Sequence, residues 1–306
     1  MKKLFFTLSA LIIAFSAAAQ DLTVASYNVR TNNKNDRARG DGWELRCPQI
    51  CRIIHTRDFD IFGAQEVQHN QLLDMCAALP EFAYVGVARD DGATKGEYSP
   101  VFYKKERFEL LDSGTFWLSE TPEKPSMGWD ARYPRVCSWV RVKDKECKRI
   151  FWFFNLHMDH RGVVARRESS KMILKKIAEI ANAKEPIILT GDFNVDQNNE
   201  IYSIIADSGV LADSYKVAEQ CFDINGTFNN FKPEAWTTNR IDHIFISPTW
   251  RVVSHDVPTD IYWSKVEGEA VGSENFPKEQ KYNLYQVRMP SDHFPVVVKL
   301  DYSKKR

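Results

Sequence analysis

Two short clusters of acidic, amide and imidazole side chains stand beside apolar segments of the chain. Asp292 and His293 directly precede a segment rich in valine, and Asp192 and Asn194 closely follow a segment of isoleucine and leucine. Such side chains hold divalent cations, position water and transfer protons. Because α/β proteins often place their sites at strand ends, the clusters predict a catalytic site at the ends of buried strands.

The best candidate for a metal ligand is Glu66, which closes a short predicted strand. Hydrolysis of a phosphate ester needs a divalent ion, a positioned water, charge stabilisation and help for the leaving oxygen. Mg²⁺ takes hard oxygen ligands from one or two carboxylates. Asn28, at the end of the first predicted strand, offers a neutral oxygen beside Glu66. A structural glutamate at a strand end is the alternative for Glu66 alone.

The pair formed by Asp192 and Asn194 has the spacing of neighbours on one side of an extended chain. A carboxylate and an amide so placed can orient a water and an oxygen of a phosphate group. An Asx turn that caps the strand is the structural alternative.

A further acidic residue, Asp242, begins another predicted strand and can fix the tautomer of His293. A paired, protonated histidine is a suitable donor to the negative charge that develops on a phosphoryl group. A solvated surface pair of aspartate and histidine is the alternative.

Polar residues also alternate after the predicted strand at 151–154. Asn155, His157 and Asp159 are expected on one face, with His157 emerging from the core into a cleft. A hydrogen-bonded core histidine is the alternative. Since alternate polar spacing follows two apolar strands, we expect these residues to share one site.

The predicted strands and helices that would position these residues indicate an α/β fold, with two packed sheets and helices outside them. We expect a single domain at 20–306. The sequence contains no internal repeat or low-complexity linker. Strands are predicted at 22–29, 60–66, 82–88, 101–104, 108–118, 135–142, 150–156, near 187, 241–246 and 294–300, and helices at 43–56, 68–79, 163–183 and 200–207.

Residues 1–19 have the features of a signal peptide. Lys2 and Lys3 form a basic start, an apolar stretch follows, and three alanines at 17–19 give a cleavage pattern. The apolar stretch is too short for a comfortable membrane span, and no other segment is long enough. We expect an exported, periplasmic or secreted protein that is monomeric and not inserted in a membrane.

Charge and cysteine content limit the function classes. Removal of Lys2 and Lys3 from the 41 basic residues leaves 39 against 41 acidic ones, a net charge of about −2. That composition predicts no basic face that would bind a long polyanion such as a nucleic acid, although a local basic patch can bind one. Export permits disulfides, but neither a pairing nor a zinc pattern is evident. Free thiols and one or two disulfides both stay open for Cys47, Cys51, Cys76, Cys137, Cys147 and Cys221.

Six motifs in a fixed order carry a resemblance to a known family. The chain resembles the endonuclease/exonuclease/phosphatase superfamily, which has the deoxyribonuclease I-like fold, over essentially all of its length after residue 19. The resemblance implies a four-layer α/β sandwich, two mixed sheets flanked by helices. The motifs are Ser26–Arg30, Gln65–Val67, Asn155–His157, Gly191–Asn194, Arg240–His243 and Ser291–His293.

The resemblance also assigns roles to residues. It implies that Asn28 and Glu66 hold Mg²⁺ or Mn²⁺, with Asp292 nearby. It leaves open whether Asp192 or His293 is the base. The remaining roles are water orientation by Asp192, phosphate contact by Asn194, and transition-state stabilisation by His157 and by His293 with the support of Asp242.

Further stretches at 97–103, 116–119, 129–132 and 157–162 resemble an exported bacterial branch that is similar to carbon catabolite repressor type deadenylases. Poly(A) is a poor natural substrate for an exported enzyme. Within this reading, Arg132, Arg135 and Arg161 are candidate contacts to the substrate phosphate, with surface charge pairs as the alternative.

The function that follows is a metal-dependent phosphodiesterase or phosphatase. Nucleic acids or nucleotides, phosphorylated sugars or inositols, and phospholipid head groups compete as substrates, with nucleotides or small phosphoesters slightly favoured. A thiol or zinc enzyme is disfavoured because no cysteine falls inside the motifs. A non-catalytic binding protein on the same scaffold is also disfavoured, because none of the expected site residues is missing.

Overall fold

The computed structural model describes residues 21–181, 184–268, 271–272 and 281–302. The predicted signal peptide at 1–19 lies outside these residues, as do the last two positions of the helix predicted at 163–183. Within the described part of the chain, every helix is too short or too polar to cross a bilayer.

The first sheet is mixed and has seven strands. β1 runs parallel to β2 and antiparallel to β17. From edge to edge the order is β10 (Gln220–Cys221), β12 (Arg251–Asp256), β17 (Val296–Asp301), β1 (Asp21–Asn28), β2 (Ile61–Gln65), β4 (Val101–Lys104) and β3 (Phe82–Val85).

The second sheet is also mixed, with β7 parallel to β8 and its other neighbours antiparallel. Two short antiparallel pairs complete the described strands: β13 (Tyr262–Lys265) with β16 (Tyr285–Arg288), and β14 (Val271–Gly272) with β15 (Lys281–Tyr282). The order in the second sheet is β5 (Phe108–Trp117), β6 (Val136–Asp144), β7 (Ile150–His157), β8 (Ile187–Asp192), β11 (Asp242–Ile246) and β9 (Ala212–Asp213).

Helices cover the outer faces of the two sheets. Pro48 lies inside α2, past its first turn, so the carbonyl of Glu44 lacks the N–H partner that another residue at this position would provide. Gln68 and Gln71 form a capping box at the start of α3. Helices α2 and α3 pack on the first sheet, and α4 and α5 pack on the second. The helices are α1 (Lys34–Ala38), α2 (Trp43–Thr56), α3 (His69–Ala78), α4 (Val163–Ile180), α5 (Glu200–Ala206) and α6 (Ser214–Val217).

The core between the sheets is built from alternate residues of facing strands. Leu22 and Val24 of β1 belong to one fully buried cluster with Phe151 and Phe153 of β7 and Ile244 of β11. Burial of each such side chain stabilises the fold by about 1.5–3 kcal/mol. The intervening residues face the helices, which gives the expected four layers of helix, sheet, sheet and helix.

The same inward-facing rows become polar at one end of the strands, and this change creates the site. Each row keeps its alternation, so the polar residue stays on the inner face. The register aligns His157 of β7 with Asp192 of β8, and Asp192 with Asp242 of β11. Asn28 ends the inner row of β1, opposite Gln65 of β2.

Several boundaries differ from the predicted ones. The strand predicted at 82–88 ends at Val85, because Gly86 turns the chain with a φ of 147°. The strand predicted at 150–156 extends to His157, and the last strand begins at Val296. The six cysteines are all free thiols, so the open alternative of disulfides is not realised in the structure.

Candidate active site

Asn28 connects the predicted metal ligands to the predicted catalytic groups. Its fully buried Nδ2 donates to Glu66 Oε1 at 3.1 Å and to Asp192 Oδ2 at 3.0 Å. Its Oδ1 instead accepts a hydrogen bond from the backbone N–H of Arg30 at 3.0 Å. The structure therefore presents the amide NH₂, and not the expected oxygen, to Glu66. In this arrangement Asn28 holds two carboxylates at a fixed separation.

Glu66 is aimed into the site by an unusual backbone conformation. It directly follows β2 and has a φ of 63°, a left-handed conformation that non-glycine residues adopt mainly where the surroundings impose it. Its Oε2 accepts the backbone N–H of Thr31 at 2.9 Å. Burial opposes the charge, but Arg30 and the Thr31 amide outweigh it and lower the pKa of Glu66. Glu66 is therefore ionised.

Asp292 places a second carboxylate on the same cleft. Its Oδ2 lies 3.2 Å from Nη1 of Arg30, which also pairs with Asp36. Burial raises the pKa of Asp292, and the negative charge of Glu66 raises it further, against the opposing effects of His293 and Arg30. Two hard carboxylates thus share one arginine as counter-charge. This donor set fits Mg²⁺ or Mn²⁺.

A second cluster of ligand-type side chains lies beside the first. Ligand atoms of Asp192, Asp242 and His293 lie within 4.8 Å of one another. His293 Nδ1 is 2.8 Å from Asp242 Oδ2, and His293 Nε2 is 3.8 Å from Asp192 Oδ2. Burial opposes the charge of the imidazole, but Asp242 and then Asp192 raise the pKa of His293 to about 10. The Asp242 carboxylate therefore holds the His293 ring through Nδ1 and favours its protonated form when no metal is bound.

Asp192 and Asn194 do not lie in an extended segment as the spacing suggested. Asn194 has a φ of 51°, and its backbone N–H donates to Asp192 Oδ1 at 2.9 Å. The pair thus forms the turn that was the alternative, and both residues still line the cleft. Burial, together with the charge of Asp242, raises the pKa of Asp192 to about 7.

His157 is held as a neutral imidazole. The Nδ2 group of Asn194 donates to Met158 O at 2.9 Å and lies 3.1 Å from His157 Nε2. His157 Nε2 also lies 3.5 Å from Asp192 Oδ2, whereas Nδ1 is buried and has no hydrogen-bond partner among the described residues. Burial, reinforced by Arg135, holds the pKa of His157 well below its usual value.

Glu66, His157, Asp192, Asp292 and His293 line an open cleft of about 430 Å³, and Asn28 and Asp242 lie behind this lining. Of the three predicted substrate arginines, Arg135 lines the cleft, whereas Arg132 and Arg161 are exposed and are not among its lining residues. Asp159, expected on the face of His157, lies beyond the end of β7. It is buried and accepts the backbone N–H groups of Arg132, at 3.0 Å, and Arg161, at 2.9 Å.

Other lining residues had no assigned role in the sequence. Arg30 and Glu97 lie inside stretches that carried the family resemblance. The sequence therefore pointed to them but assigned them no function. Arg89 lies in a loop with no such signal. The remaining unassigned residues are Thr31, Tyr133, His160, Phe228, Asn230 and Ile241.

Two mixed sheets between helices, with acidic, amide and imidazole groups at one end of the inter-sheet space, define a phosphoesterase fold. The chain belongs to the Endonuclease/Exonuclease/phosphatase family, whose model matches residues 25–293. Members of this family are hydrolases that act on phosphate esters. The resemblance seen in the six motifs and the predicted α/β sandwich are both confirmed.

Solved structures show the same relationship. The chain is 50% identical to a mannosyl-6-phosphatase from Bacteroides thetaiotaomicron VPI-5482, over 91% of this chain and 99% of that one, with a TM-score of 0.85. It is 49% identical to an endonuclease/exonuclease/phosphatase family protein from Bacteroides thetaiotaomicron, over 93% and 99%, also with a TM-score of 0.85. The human Nocturnin catalytic domain, 19% identical over 92% and 94% with a TM-score of 0.65, shares the fold.

Proposed function

We propose that this protein is a divalent-metal-dependent phosphomonoesterase that releases phosphate from a small phosphorylated sugar. The observation that carries the proposal is the convergence of Glu66, Asp192 and His293 on one buried amide, Asn28, in a single cleft. The substrate class is supported by the likeness to a mannosyl-6-phosphatase. The proposed substrate class is narrower than the one favoured by the sequence, which was nucleotides or small phosphoesters.

Glu66 and Asp292 would hold the Mg²⁺ or Mn²⁺ ion. When bound there, the ion would neutralise charge on the phosphate oxygens and polarise the phosphorus centre. Asn28 fixes Glu66 relative to Asp192, so the ligand and the catalytic carboxylate keep one spacing. Arg30 pairs with Asp292 and limits the repulsion between the two ligand carboxylates.

Asp192 is the base in the proposed reaction. A base must be unprotonated, and the raised pKa of His293 leaves that imidazole protonated near neutral pH. The pKa of Asp192, near 7, suits proton transfer at that pH. Water attacks phosphorus, its proton passes to Asp192, and the new O–P bond forms as the P–O bond to the sugar breaks. The sugar oxygen leaves with the electron pair and takes a proton from solvent.

Two histidines stabilise the charge that builds up on the phosphoryl oxygens. His293 donates from Nε2 as an imidazolium whose Nδ1 is held by Asp242. His157 acts from the side of Asp192, with its Nε2 3.5 Å from Asp192 Oδ2. Asn194 is in turn fixed by Met158 and by Asp192.

The proposed setting is outside the cytoplasm, on the strength of the signal-peptide features at 1–19. An exported sugar phosphatase would act on phosphorylated saccharides available in the periplasm or medium. A monomer remains the expected state.

Phosphate release from a substrate panel tests the proposal. The panel contains mannose 6-phosphate, p-nitrophenyl phosphate, bis-p-nitrophenyl phosphate, a nucleoside monophosphate, an inositol phosphate, sphingomyelin and single-stranded RNA, each with Mg²⁺, Mn²⁺ or EDTA. We expect EDTA-sensitive turnover that is fastest on the sugar phosphate. Fastest cleavage of a diester would refute the phosphomonoesterase, and absence of turnover in every well would favour a binding protein on this scaffold.

Matched variants assign that turnover to the site. Asp192→Asn and His293→Gln should abolish it, whereas the same exchanges at exposed positions, Asp58→Asn and His55→Gln, should leave it unchanged. Equal activity of site and control variants would place the chemistry elsewhere.

A further inference from the structure

An ion pair lines the cleft beside the metal ligands and takes no part in the proposed reaction. Arg89 Nη1 lies 2.5 Å from Glu97 Oε2, and both residues line the cleft together with Glu66 and His157. Arg89 is 8% exposed, whereas the side chain of Glu97 keeps 18% of its surface accessible. Burial of an ion pair costs desolvation energy. A role of this pair in recognising the substrate would account for its presence in the cleft.

The pair is held rigidly relative to Glu66. The backbone N–H of Arg89 donates to Glu97 O at 3.0 Å, and Trp117 Nε1 donates to Arg89 O at 2.7 Å. The backbone N–H of Tyr98, next to Glu97, donates at 2.7 Å to the carbonyl of Val67, the residue after Glu66. The recognition pair and the metal ligand therefore belong to one hydrogen-bonded frame.

Two N–H donors at the end of the cleft that contains Arg89 and Glu97 have no hydrogen-bond partner among the described residues. They are Arg89 Nε and Arg135 Nη1, and both atoms are buried. Both arginines are more than nine-tenths buried. Unpaired buried donors are costly, which indicates that a ligand atom or water completes them.

Both arginines at this end have carboxylates beside them. Arg89 pairs with Glu97, and its Nε lies 3.8 Å from Asp90 Oδ1, beyond hydrogen-bond distance. Arg135 Nε lies 3.4 Å from Asp159 Oδ2. A carboxylate beside unpaired N–H donors suits hydroxyl groups, which both donate and accept. A second phosphate would meet the Glu97 carboxylate and be repelled. The chemistry therefore matches a neutral polyol better than a polyphosphate or a nucleic acid backbone.

An aromatic face completes the surroundings. Arg89 Cζ lies 5.0 Å from the ring centroid of Tyr133, a lining residue that is 42% exposed. Tyr133 also stacks near His160, with ring centroids 6.1 Å apart and 26° between the planes. An exposed aromatic face beside polar groups can cover the C–H face of a sugar ring.

We infer that Arg89 and Glu97, with Tyr133 beside them, form a subsite that hydrogen-bonds ring hydroxyls of a hexose whose phosphate lies at Glu66 and Asp192. The inference rests on the proposed function and names the residues that select the sugar. It makes Arg89 and Glu97 specificity-determining residues that do not contribute to the chemical step.

Steady-state kinetics of Glu97→Gln on two substrates test the subsite. With mannose 6-phosphate we expect kcat/KM to fall by about 10- to 100-fold, mainly through KM, because lost binding to a charged partner is lost in ground and transition states alike. With p-nitrophenyl phosphate, which has no hydroxyls, the change should stay below about 2-fold. Arg89→Lys should show the same split, and Glu123→Gln, at an exposed loop position, should change neither.

A binding measurement separates failure of the subsite from failure of the proposed function. Calorimetry with a non-hydrolysable phosphonate analogue of mannose 6-phosphate in the presence of Mg²⁺ should give a Kd at least about 10-fold weaker for Glu97→Gln than for wild type. Equal losses on both substrates, or none on either, would overturn the subsite. If wild type turns over no phosphoester, the proposed function fails, and equal or undetectable binding by wild type and variant then overturns the subsite as well.

Discussion

The two ends of the cleft are built from different kinds of structure. The reaction end takes Asn28, His157, Asp192 and Asp242 from the strands of two packed sheets, and Glu66, Asp292 and His293 from positions close to strand ends. The recognition end, Arg89 with Glu97, Tyr133 and Arg135, lies on segments between strands. Strand register fixes the first set to the core, whereas the second depends on contacts between loops. On the proposed function, we therefore expect the chemical step to depend on groups in and beside the strands, and substrate choice to depend on the loops.

The two ends also differ in how they compensate charge. At the reaction end, Glu66, Asp192, Asp242 and Asp292 are balanced by a protonated His293 together with arginines such as Arg30. At the recognition end, Arg89 pairs with Glu97 and with Asp90, and Arg135 pairs with Asp159. Removal of a group at the reaction end should therefore affect every substrate, and removal of one at the recognition end should affect only substrates that reach it.

The largest effect is expected for Asp192→Asn. It removes the proposed base but keeps the side-chain size and the contact with the Asn194 backbone, so kcat should fall by about 10³-fold on sugar and non-sugar phosphates alike. Steady-state kinetics on both substrates, with thermal unfolding to show an intact fold, provide the check. A loss confined to the sugar phosphate would contradict the division between the ends.

Asp242→Asn should lower kcat by about 10- to 100-fold, because it leaves His293 without its charged partner. The pKa of His293 is raised by Asp242, so removal of the carboxylate must lower it. In metal-free protein, NMR titration should show the wild-type ring protonated up to about pH 10 and the variant ring losing its proton at lower pH. Identical titration curves would show that Asp242 does not act through His293.

Arg135→Lys should lower kcat/KM on the sugar phosphate by about 10-fold, because lysine cannot reproduce the fork of donors that reaches Asp159, His160 and the cleft. Arg161→Lys, outside the lining residues, should change it by less than about 2-fold. Substrate kinetics for the two variants, with p-nitrophenyl phosphate as reference, measure the contrast. Equal effects would restore Arg161 as a substrate contact.

The smallest effect is one on stability, at Asp159. Burial opposes its charge, but the backbone N–H groups of Gly162, Arg161 and Arg132 lower the pKa to about 2. A depressed pKa stabilises the fold above the unfolded value, near 4, and this contribution disappears as the pH falls towards 2. Asp159→Asn should therefore reduce the free energy of unfolding by about 1–3 kcal/mol at neutral pH.

Urea unfolding of wild type and Asp159→Asn at several pH values checks the sign. The difference between the two proteins should shrink between pH 4 and pH 2. A difference that is constant over this range would mean that packing, and not the charge of Asp159, sets the cost.

The strands that carry the reaction end were predictable because their alternation is regular. In β7, Phe151, Phe153 and His157 lie on the same face of the strand in the structure, as their alternation in the sequence predicts. β12 was missed because a bulge between Val252 and Ser254 breaks its alternation. β13 and β16 were missed because they are largely exposed and show no apolar face.

The site was predictable only where motifs sit at strand ends. Asp242 and His293 are 51 residues apart, yet both adjoin predicted strands, so their meeting followed from the sheet. Arg89 gave no signal, because its place in the cleft depends on a tertiary bond from Trp117 and on the backbone bond to Glu97. The turn at Asn194 was predicted as extended chain. A single residue in the left-handed conformation does not change the spacing of apolar residues, so the sequence pattern does not reveal it.

A crystal structure with Mn²⁺ and a non-hydrolysable phosphonate analogue of mannose 6-phosphate tests the division of the cleft most directly. We predict anomalous density for Mn²⁺ against Glu66 and Asp292, with the phosphonate beside Asp192 and the sugar hydroxyls against Arg89 and Glu97. Mn²⁺ bound instead between Asp242 and His293, or a sugar turned away from Glu97, would contradict it.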